Sequence, residues 1–173
     1  MSEADHPVRR ATPADAPAAA RLLHDFNAEF EVPTPGVDIL SARLRTLISG
    51  DVTWVLLAGD PAVGIAVVTL RPNVWYEGLV ALLDELYVEP GLRGGGIGGA
   101  LIERLLADAI AAGISAVEIN VDEGDVDAQR FYERHGFRST EPGSDERAFY
   151  YSRELLTTSV SAILSTPPSS TSR

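Results

Sequence analysis

The chain has 173 residues, of which 45% are hydrophobic and 23% are charged, and it contains no cysteine. These values are ordinary for one globular domain, and the lack of cysteine excludes disulfides, thiolate zinc sites and cysteine nucleophiles. The formal net charge of -11 argues against a nucleic-acid partner, which needs a concentrated basic face, and is compatible with a cationic substrate.

Membrane association is not indicated either. The sequence has no apolar run near the roughly 20 residues that a membrane-spanning helix needs. Its first residues lack the continuous apolar segment of a signal peptide. We therefore expect a cytoplasmic protein without a membrane partner.

Patterns in the first half of the chain predict a strand, two helices and a three-stranded meander. Thr12 and Pro13 mark a helix start, as an N-cap and a first helical residue. Asp60 and Pro61 form a turn signal between two β-branched runs. The predicted elements are a strand over residues 8–11, helices over 16–30 and 37–49, and strands over 53–59, 64–72 and from 77 or 78 to 88.

The second half begins with the glycine-rich stretch RGGGIGG at 93–99 and then alternates helices and strands. Gly113 and Gly136 each follow a helical pattern and are typical of helix C-termini. The predicted elements are helices over 100–112 and 127–135 and strands over 116–121, 137–140 and 147–154. This order indicates an α/β (α+β) fold with a mixed sheet.

The predicted elements define one domain between two less ordered ends. We expect residues 1–7 to be a flexible N-terminus and 8–156 to be the folded domain. Residues 157–173 are rich in Ser, Thr and Pro, a composition typical of a disordered tail.

The glycine-rich stretch has the features of an anion site. Glycines let successive backbone N–H groups converge on a ligand, and a helix N-terminus adds about half a positive charge. A Walker loop is excluded because the stretch has no lysine. The dinucleotide spacing of Gly94, Gly96 and Gly99 is present, but the strands before it are predicted to be antiparallel, which disfavours that motif. A third pattern, Arg-x-x-Gly-x-Gly, is met by Arg93, Gly96 and Gly98.

Two motifs in the second half carry a family resemblance. The pattern V-x-P-x-x-R-G-x-G-I-G-x-x-L spans residues 88–101, and DVDAQRFYERHGF at 125–137 matches N-x-x-A-x-x-F-Y-x-x-x-G-F except at its first residue. On these motifs the chain resembles the GNAT superfamily of acetyl-CoA-dependent N-acetyltransferases over roughly residues 8–154. The resemblance implies a GNAT fold: a mixed, mostly antiparallel central sheet with helices on both faces and a splayed strand pair at the cofactor site.

The resemblance implies acetyl-CoA as the cosubstrate and no metal. In the family the pyrophosphate lies on the loop N–H groups, and the pantetheine arm pairs with the preceding strand end. Asp125 stands where the family commonly has asparagine; when ionised it cannot donate a hydrogen bond, but it can still cap the following helix. The implied cofactor-binding residues are Leu86, Tyr87, Val88, Arg93, Gly94, Gly95, Gly96, Ile97, Gly98, Gly99, Asn120, Asp125, Ala128 and Tyr132.

The resemblance also implies the catalytic groups. Tyr132 matches the family tyrosine that can protonate the leaving thiolate, and a phenol of ordinary pKa is protonated at neutral pH. Asp84 and Glu85 stand where polyamine-type members carry an acidic pair, which would supply the base that deprotonates the amine. Alternation along a strand would direct only one of them into the cleft unless a β-bulge reorients the chain, and Glu85 is the preferred candidate.

The expected reaction is direct attack by a primary amine in a ternary complex, because no cysteine can form an acyl-enzyme. A small cationic molecule such as a polyamine, an aminoglycoside or an amino-acid derivative is the preferred acceptor. A protein or peptide amine and a non-catalytic CoA-binding regulatory domain are alternatives, and homodimers are common in the family. In the GNAT fold the acceptor pocket is built by the first helices, the strand before Asp84 and the last hairpin. The resemblance therefore implies the acceptor-wall residues Phe26, Phe30, Glu31, Trp75, Tyr76, Glu77 and Tyr150, and aromatic faces and a carboxylate at 75–77 suit a cation.

Overall fold

The structure, a computed structural model, describes residues 6–140, 145–147 and 153. Its strands are β1 (Val8–Arg10), β2 (Thr53–Ala58), β3 (Gly64–Arg71), β4 (Val80–Val88) and β5 (Ala116–Ile119). Its helices are α1 (Ala16–Glu29), α2 (Val37–Ile48), α3 (Ile97–Ala111) and α4 (Val126–Arg134). Short 3-10 turns, Pro13–Asp15 and Pro90–Leu92, precede α1 and α3. None of the helices in the described part of the chain is long and apolar enough to cross a membrane.

One five-stranded sheet has the order β1-β2-β3-β4-β5. Strands β1 to β4 pair antiparallel with their neighbours, as the turn signals predict, whereas β5 pairs parallel to β4. Parallel neighbours need a crossover connection, and α3 lies in the chain between these two strands. The predicted mixed, mostly antiparallel sheet is confirmed.

Helices cover both faces of the sheet. On one face, α1 and α2 pack against alternate strand residues such as Val55 and Leu57. On the other face, α3 and α4 pack against residues such as Leu56. Neighbouring residues of β2 therefore enter opposite cores, as the two-residue period of a strand requires. Leu22 of α1 and Leu105 of α3 are fully buried, and full burial of a leucine contributes roughly 1.5–3 kcal/mol.

Helix α3 begins earlier than the sequence pattern predicts, at Ile97 instead of residue 100. Gly96 has a left-handed backbone with φ +90°, and its carbonyl accepts the N–H of Ala100 at 2.9 Å as the first bond of the helix. Gly98 and Gly99 therefore lie in the first helical turn. The sequence pattern excluded them because glycine is about 1 kcal/mol less favourable than alanine inside a helix.

Strand β4 begins at Val80, later than predicted, because Asn73 builds a loop before it. The side-chain oxygen of Asn73 accepts the N–H groups of Trp75 and Tyr76 at 2.9 and 2.8 Å. Its amide nitrogen donates to the carbonyl of Gly78 at 3.1 Å. An asparagine that bonds the nearby backbone in this way stabilises a turn at the expense of a strand. The remaining described helix and strand ends lie within two residues of the predicted ends.

The C-terminal end of the described chain contains one antiparallel bridge, between Thr140 and Arg147. The predicted strand over 137–140 is not formed: the described structure has no strand at residues 137–139, and only Thr140 pairs. The N–H of Phe137 instead bonds the carbonyl of Tyr132 at 3.1 Å and closes the end of α4. Residues 1–5, 141–144, 148–152 and 154–173 lie outside the described residues. Most of the last predicted strand and the whole predicted tail fall in those segments, so the proposed domain end at 156 stays a prediction.

The loop before β4 packs closely on the turn between α3 and β5, and Gly78 has no room for a side chain. A Cβ atom there would overlap the carbonyl oxygen of Gly113 and would lie 2.8 Å from Oγ of Ser115. We expect Gly78→Ala to lower the free energy of unfolding by about 1–3 kcal/mol, measured by urea denaturation. Gly91→Ala is the control, because a Cβ at Gly91 meets nothing within 4 Å. Equal stability of the two variants would contradict the close packing.

Candidate active site

A cleft opens where strands β4 and β5 part. Their parallel pairing runs from Val80 and Ala116 to Leu83 and Ile119 and stops there, although β4 continues to Val88. In the described part of the chain, the edge of β4 that faces β5 has no strand partner beyond that point. A cleft of about 830 Å³ lies at the resulting gap and is bordered by the end of α1, the glycine-rich loop and α4.

A bulge in β4 places two neighbouring carboxylates on the same face of the sheet. The pairing register shifts between Val67 and Val68, which makes Asp84 an extra residue in β4. Glu85 pairs with Val67 and so shares the face covered by α1 and α2. The Asp84 carboxylate turns to that face as well, where it accepts a hydrogen bond from the Thr69 hydroxyl at 2.6 Å. Regular alternation would have separated the two carboxylates; instead both line the cleft.

Glu85 occupies the more enclosed position of the two. Burial raises the pKa of its carboxyl, and the neighbouring negative charge of Asp84 raises it further. Asp84 itself is exposed. A carboxylate whose pKa moves toward neutrality is a stronger proton acceptor. The surroundings therefore make Glu85 a stronger proton acceptor than an ordinary glutamate.

Tyr132 enters the cleft from the opposite core. Its side chain is only 9% exposed and belongs to the cluster under α3 and α4. The rings of Phe131 and Phe137 pack edge-on against it, with centroids 5.1 and 5.7 Å away. Burial first, then the negative charges of Asp125 and Glu85, raise the pKa of its phenol. The phenol is protonated at neutral pH and can donate a proton.

The glycine-rich loop borders the cleft, and its backbone N–H groups have no protein acceptor in the described structure. Within the described residues, none of the N–H groups from Gly94 to Gly99 donates to a carbonyl, whereas that of Ala100 bonds the carbonyl of Gly96. Gly94 and Gly96 have φ +79° and +90°, a region that glycine adopts without strain. Such a row of donors at the positive end of a helix is suited to an anion.

Helix α4 packs directly on this first turn of α3. A Cβ at Gly98 would lie 3.4 Å from the Phe131 ring, and a Cβ at Gly99 would lie 3.4 Å from Cε1 of His135. The rings of Phe131 and His135 are themselves in contact, with centroids 4.7 Å apart. Gly99 occupies a position that the family pattern leaves variable, and a Cβ there would lie at ordinary contact distance from His135.

Asp125 caps α4 in place of the asparagine that the family commonly has. Its carboxylate accepts the N–H of Ala128 at 2.9 Å. A negative charge at a helix N-terminus is favourable. Aspartate thus keeps the acceptor role that asparagine would have here and lacks only its amide donor.

Most of the predicted site residues line this cleft. They are Phe26, Phe30, Asp84, Glu85, Leu86, Tyr87, Val88, Arg93, Gly94, Gly96, Ile97, Gly98, Gly99, Asn120, Asp125, Ala128 and Tyr132. The structure places five others outside the cleft lining, namely Gly95, Glu31, Trp75, Tyr76 and Glu77. Trp75 lies in the Asn73 loop and is 87% exposed. Tyr150 lies outside the described residues.

The cleft wall also contains residues that the motifs did not indicate. These are Leu92, Glu103, Ile119, Val121, Asp122, Asp127, Phe131, Arg134 and His135. Helical spacing could have indicated two of these residues, because Phe131 and His135 are one turn apart and so share a side of α4. Among the described residues, no three His, Asp or Glu side chains are arranged to hold a metal ion.

Sequence comparisons with known proteins bear on this site. The model of the acetyltransferase (GNAT) family matches residues 19–137. An aminoglycoside N(6')-acetyltransferase type 1 of Stenotrophomonas maltophilia is 31% identical over 137 residues, which cover 78% of this chain and 87% of the relative.

Solved structures resemble the fold over most of its length. A crystal structure assigned as an acetyltransferase from Arthrobacter sp. FB24 has a TM-score of 0.82 and 54% identity, and the match covers 86% of this chain and 96% of that one. An aminoglycoside acetyltransferase from an uncultured soil metagenomic sample, solved in complex with sisomicin, has a TM-score of 0.72 and 23% identity, covering 89% and 99%. At that identity the second likeness concerns the fold alone.

The cap on α4 gives a direct test of the Asp125 geometry. We expect Asp125→Ala to lower the free energy of unfolding by about 1 kcal/mol, because the N–H of Ala128 loses its acceptor. Asp125→Asn keeps a side-chain oxygen at the same place and should stay within a few tenths of a kcal/mol of the original protein. Urea denaturation followed by circular dichroism measures both. A loss for asparagine as large as that for alanine would contradict the capping role.

Proposed function

The chain belongs to the acetyltransferase (GNAT) family and is an acyltransferase, and we propose that it transfers the acetyl group of acetyl-CoA to a primary amine of a small cationic molecule. The observation that carries this proposal is the bulge in β4, which turns Asp84 and Glu85 to one face of the gap. Tyr132 lines the same cleft from the core on the other face. A proton acceptor and a proton donor thus flank one gap.

Members of the family use acetyl-CoA, and the residues of this cleft fit that cosubstrate. The free N–H groups from Gly94 to Gly99 suit a pyrophosphate. The open edge of β4 at residues 86–88 suits an extended pantetheine arm, which would pair with it like an added strand. Bound acetyl-CoA supplies a thioester whose carbonyl carbon a neutral amine can attack.

In the proposed mechanism, two side chains move the protons. Glu85 accepts a proton from the ammonium form of the acceptor, directly or through water, because an ammonium has no lone pair. The neutral nitrogen then bonds to the acetyl carbonyl carbon and releases one further proton to water, and the carbon–sulfur bond breaks. Tyr132 donates its phenolic proton to the departing sulfur and regains a proton from solvent. The chain has no cysteine, so the transfer proceeds directly between the two substrates and not through a cysteine acyl-enzyme.

Charge supports a cationic acceptor. Six acidic residues line the cleft, Asp84, Glu85, Glu103, Asp122, Asp125 and Asp127, against two arginines, Arg93 and Arg134. The net charge of -11 adds long-range attraction for a cation. The 31% identical relative is an aminoglycoside N(6')-acetyltransferase, which supports aminoglycosides within this class. A peptide amine is the competing acceptor.

The proposed activity is tested by release of CoA thiol from acetyl-CoA against a panel of amines. The panel contains an aminoglycoside such as sisomicin, the polyamine spermidine, an amino-acid amide and a peptide with a free N-terminus. We expect turnover with the cationic small molecules and about a hundredfold lower kcat for Tyr132→Phe, because the leaving thiolate loses its acid.

The outcomes separate the alternatives. If only the peptide is turned over, the acceptor is a peptide amine and not a small molecule. Tight binding of acetyl-CoA with no turnover of any amine would favour a regulatory domain. Full activity of Tyr132→Phe would be compatible with the transferase activity but would show that Tyr132 is not the proton donor.

The raised pKa of Glu85 gives a pH prediction. Glu85 must be deprotonated to accept a proton, so kcat/KM should rise with pH through the pKa of Glu85, above the ordinary range of a glutamate. Asp84→Asn removes the neighbouring charge and should move this rise to lower pH. Glu85→Gln should abolish it and lower kcat/KM at neutral pH by about a hundredfold.

Glu118→Gln is the matched control for the pH profile. Glu118 pairs with Arg71 outside the cleft lining, so its neutralisation should leave the profile unchanged. A Glu85→Gln variant that keeps the original pH rise would exclude Glu85 as the base.

A further inference from the structure

The guanidinium of Arg93, the arginine of the glycine-rich motif, donates hydrogen bonds to two other residues of the protein. Its two terminal nitrogens donate to the two carboxylate oxygens of Glu29 at 2.7 and 2.6 Å. Its Nε donates to the carbonyl of Val88 at 3.0 Å. Most exposed ion pairs contribute little, but a forked arginine–carboxylate pair with this geometry is among the exceptions. The guanidinium therefore joins the end of β4 to the last residue of α1.

A series of aromatic contacts also links Arg93 to the end of α1. The Arg93 guanidinium lies 5.5 Å from the Tyr87 ring centroid, and Tyr87 stacks on Phe26 at 5.3 Å. Phe26 in turn packs edge-on against Phe30 at 5.5 Å. Phe30 directly follows Glu29, is 61% exposed and lines the cleft. The ion pair and the aromatic rings thus form one closed ring of contacts between the coenzyme loop and the candidate acceptor wall.

Besides these contacts, the hydrogen bond between Nδ1 of His24 and the Thr34 hydroxyl at 2.6 Å ties the following segment back to α1. The N–H groups of Phe30, Glu31 and Val32 bond only to carbonyls of the preceding turn, Asn27 and Ala28, at 2.9–3.2 Å. Glu31 has φ +55°, a left-handed conformation that is unfavourable for a residue other than glycine. Such a terminus frays readily unless a tertiary contact holds it. Glu29 supplies that contact through Arg93.

We propose that Glu29 is a positioning residue for the acetyl transfer: through Arg93 it locks the acceptor wall at Phe30 to the coenzyme loop. The free N–H groups of the loop hold the coenzyme phosphates, and the Arg93 guanidinium stays with Glu29 when the coenzyme binds. Coenzyme binding at the loop then reduces the motion at the end of α1, so that the acceptor wall at Phe30 is ordered when the coenzyme is bound. This inference rests on the proposed binding of acetyl-CoA.

The test compares Glu29→Gln with the original protein by hydrogen exchange and by calorimetric titration with CoA. Glutamine keeps the size of the side chain and removes the charge. In the free protein we expect at least fivefold faster exchange of the amides at residues 30–32 in Glu29→Gln. In the original protein CoA should slow these amides, and in Glu29→Gln that protection should be lost while the Kd for CoA changes by less than threefold. With the acceptor found in the amine panel, KM for the amine should rise and kcat should change little.

Asp25→Asn is the matched control, since Asp25 lies one turn earlier on α1 and also pairs with an arginine, Arg21, at 3.2 Å. It should leave the exchange of residues 30–32 and the Kd for CoA unchanged. Unaltered exchange in Glu29→Gln would overturn the proposal. A tenfold tighter Kd for CoA in that variant would also overturn it, because Arg93 would then be a phosphate ligand that Glu29 withholds. Failure of the original protein to bind CoA at all would instead remove the proposed function.

Discussion

The end of the parallel pairing between β4 and β5 is the constraint on which the site depends. Once the two strands part after Leu83 and Ile119, β4 has an unpaired edge within the described structure, and a buried unpaired edge needs a partner. The proposed pantetheine arm would supply the missing hydrogen bonds without a change of fold. The gap also lets groups from both cores reach one point: Glu85 from the side of α1 and α2, and Tyr132 from the side of α3 and α4.

The bulge at Asp84 adds function to this constraint. One extra residue in β4, Asp84, interrupts the alternation of side chains between the two faces of the strand. As a result, the neighbouring carboxylates of Asp84 and Glu85 lie on the same face. Their proximity raises the pKa of Glu85 beyond what burial alone would do. A local irregularity of the backbone, and not an unusual residue, thus tunes the candidate base.

The sequence predicted most of this structure, and its misses have specific causes. Periodicity located the helices and strands, and the two motifs indicated the loop and Tyr132, because these features are local. From the sequence, β4 could either alternate regularly at Asp84 and Glu85 or contain a bulge there. The choice depends on how β4 pairs with β3, which the local sequence does not determine. The exposed loop at Trp75 was expected near the acceptor because aromatic residues suit a cation, but Asn73 folds it away from the cleft lining. The contact of His135 with Gly99 and the pairing of Glu29 with Arg93 join residues distant in sequence, and no local pattern contains them.

Under the proposed function, the distribution of charge lets an acidic chain hold an anionic coenzyme beside a cationic acceptor. The coenzyme phosphates would be bound by backbone N–H groups and a helix N-terminus, which are fixed partial charges and need no lysine. The one motif arginine is neutralised locally by Glu29, so it adds little positive potential to the rest of the cleft. The carboxylates at Asp84 and Glu85 therefore keep a negative potential at the acceptor end. In this arrangement dipoles would bind the proposed coenzyme and full negative charges would bind the proposed amine.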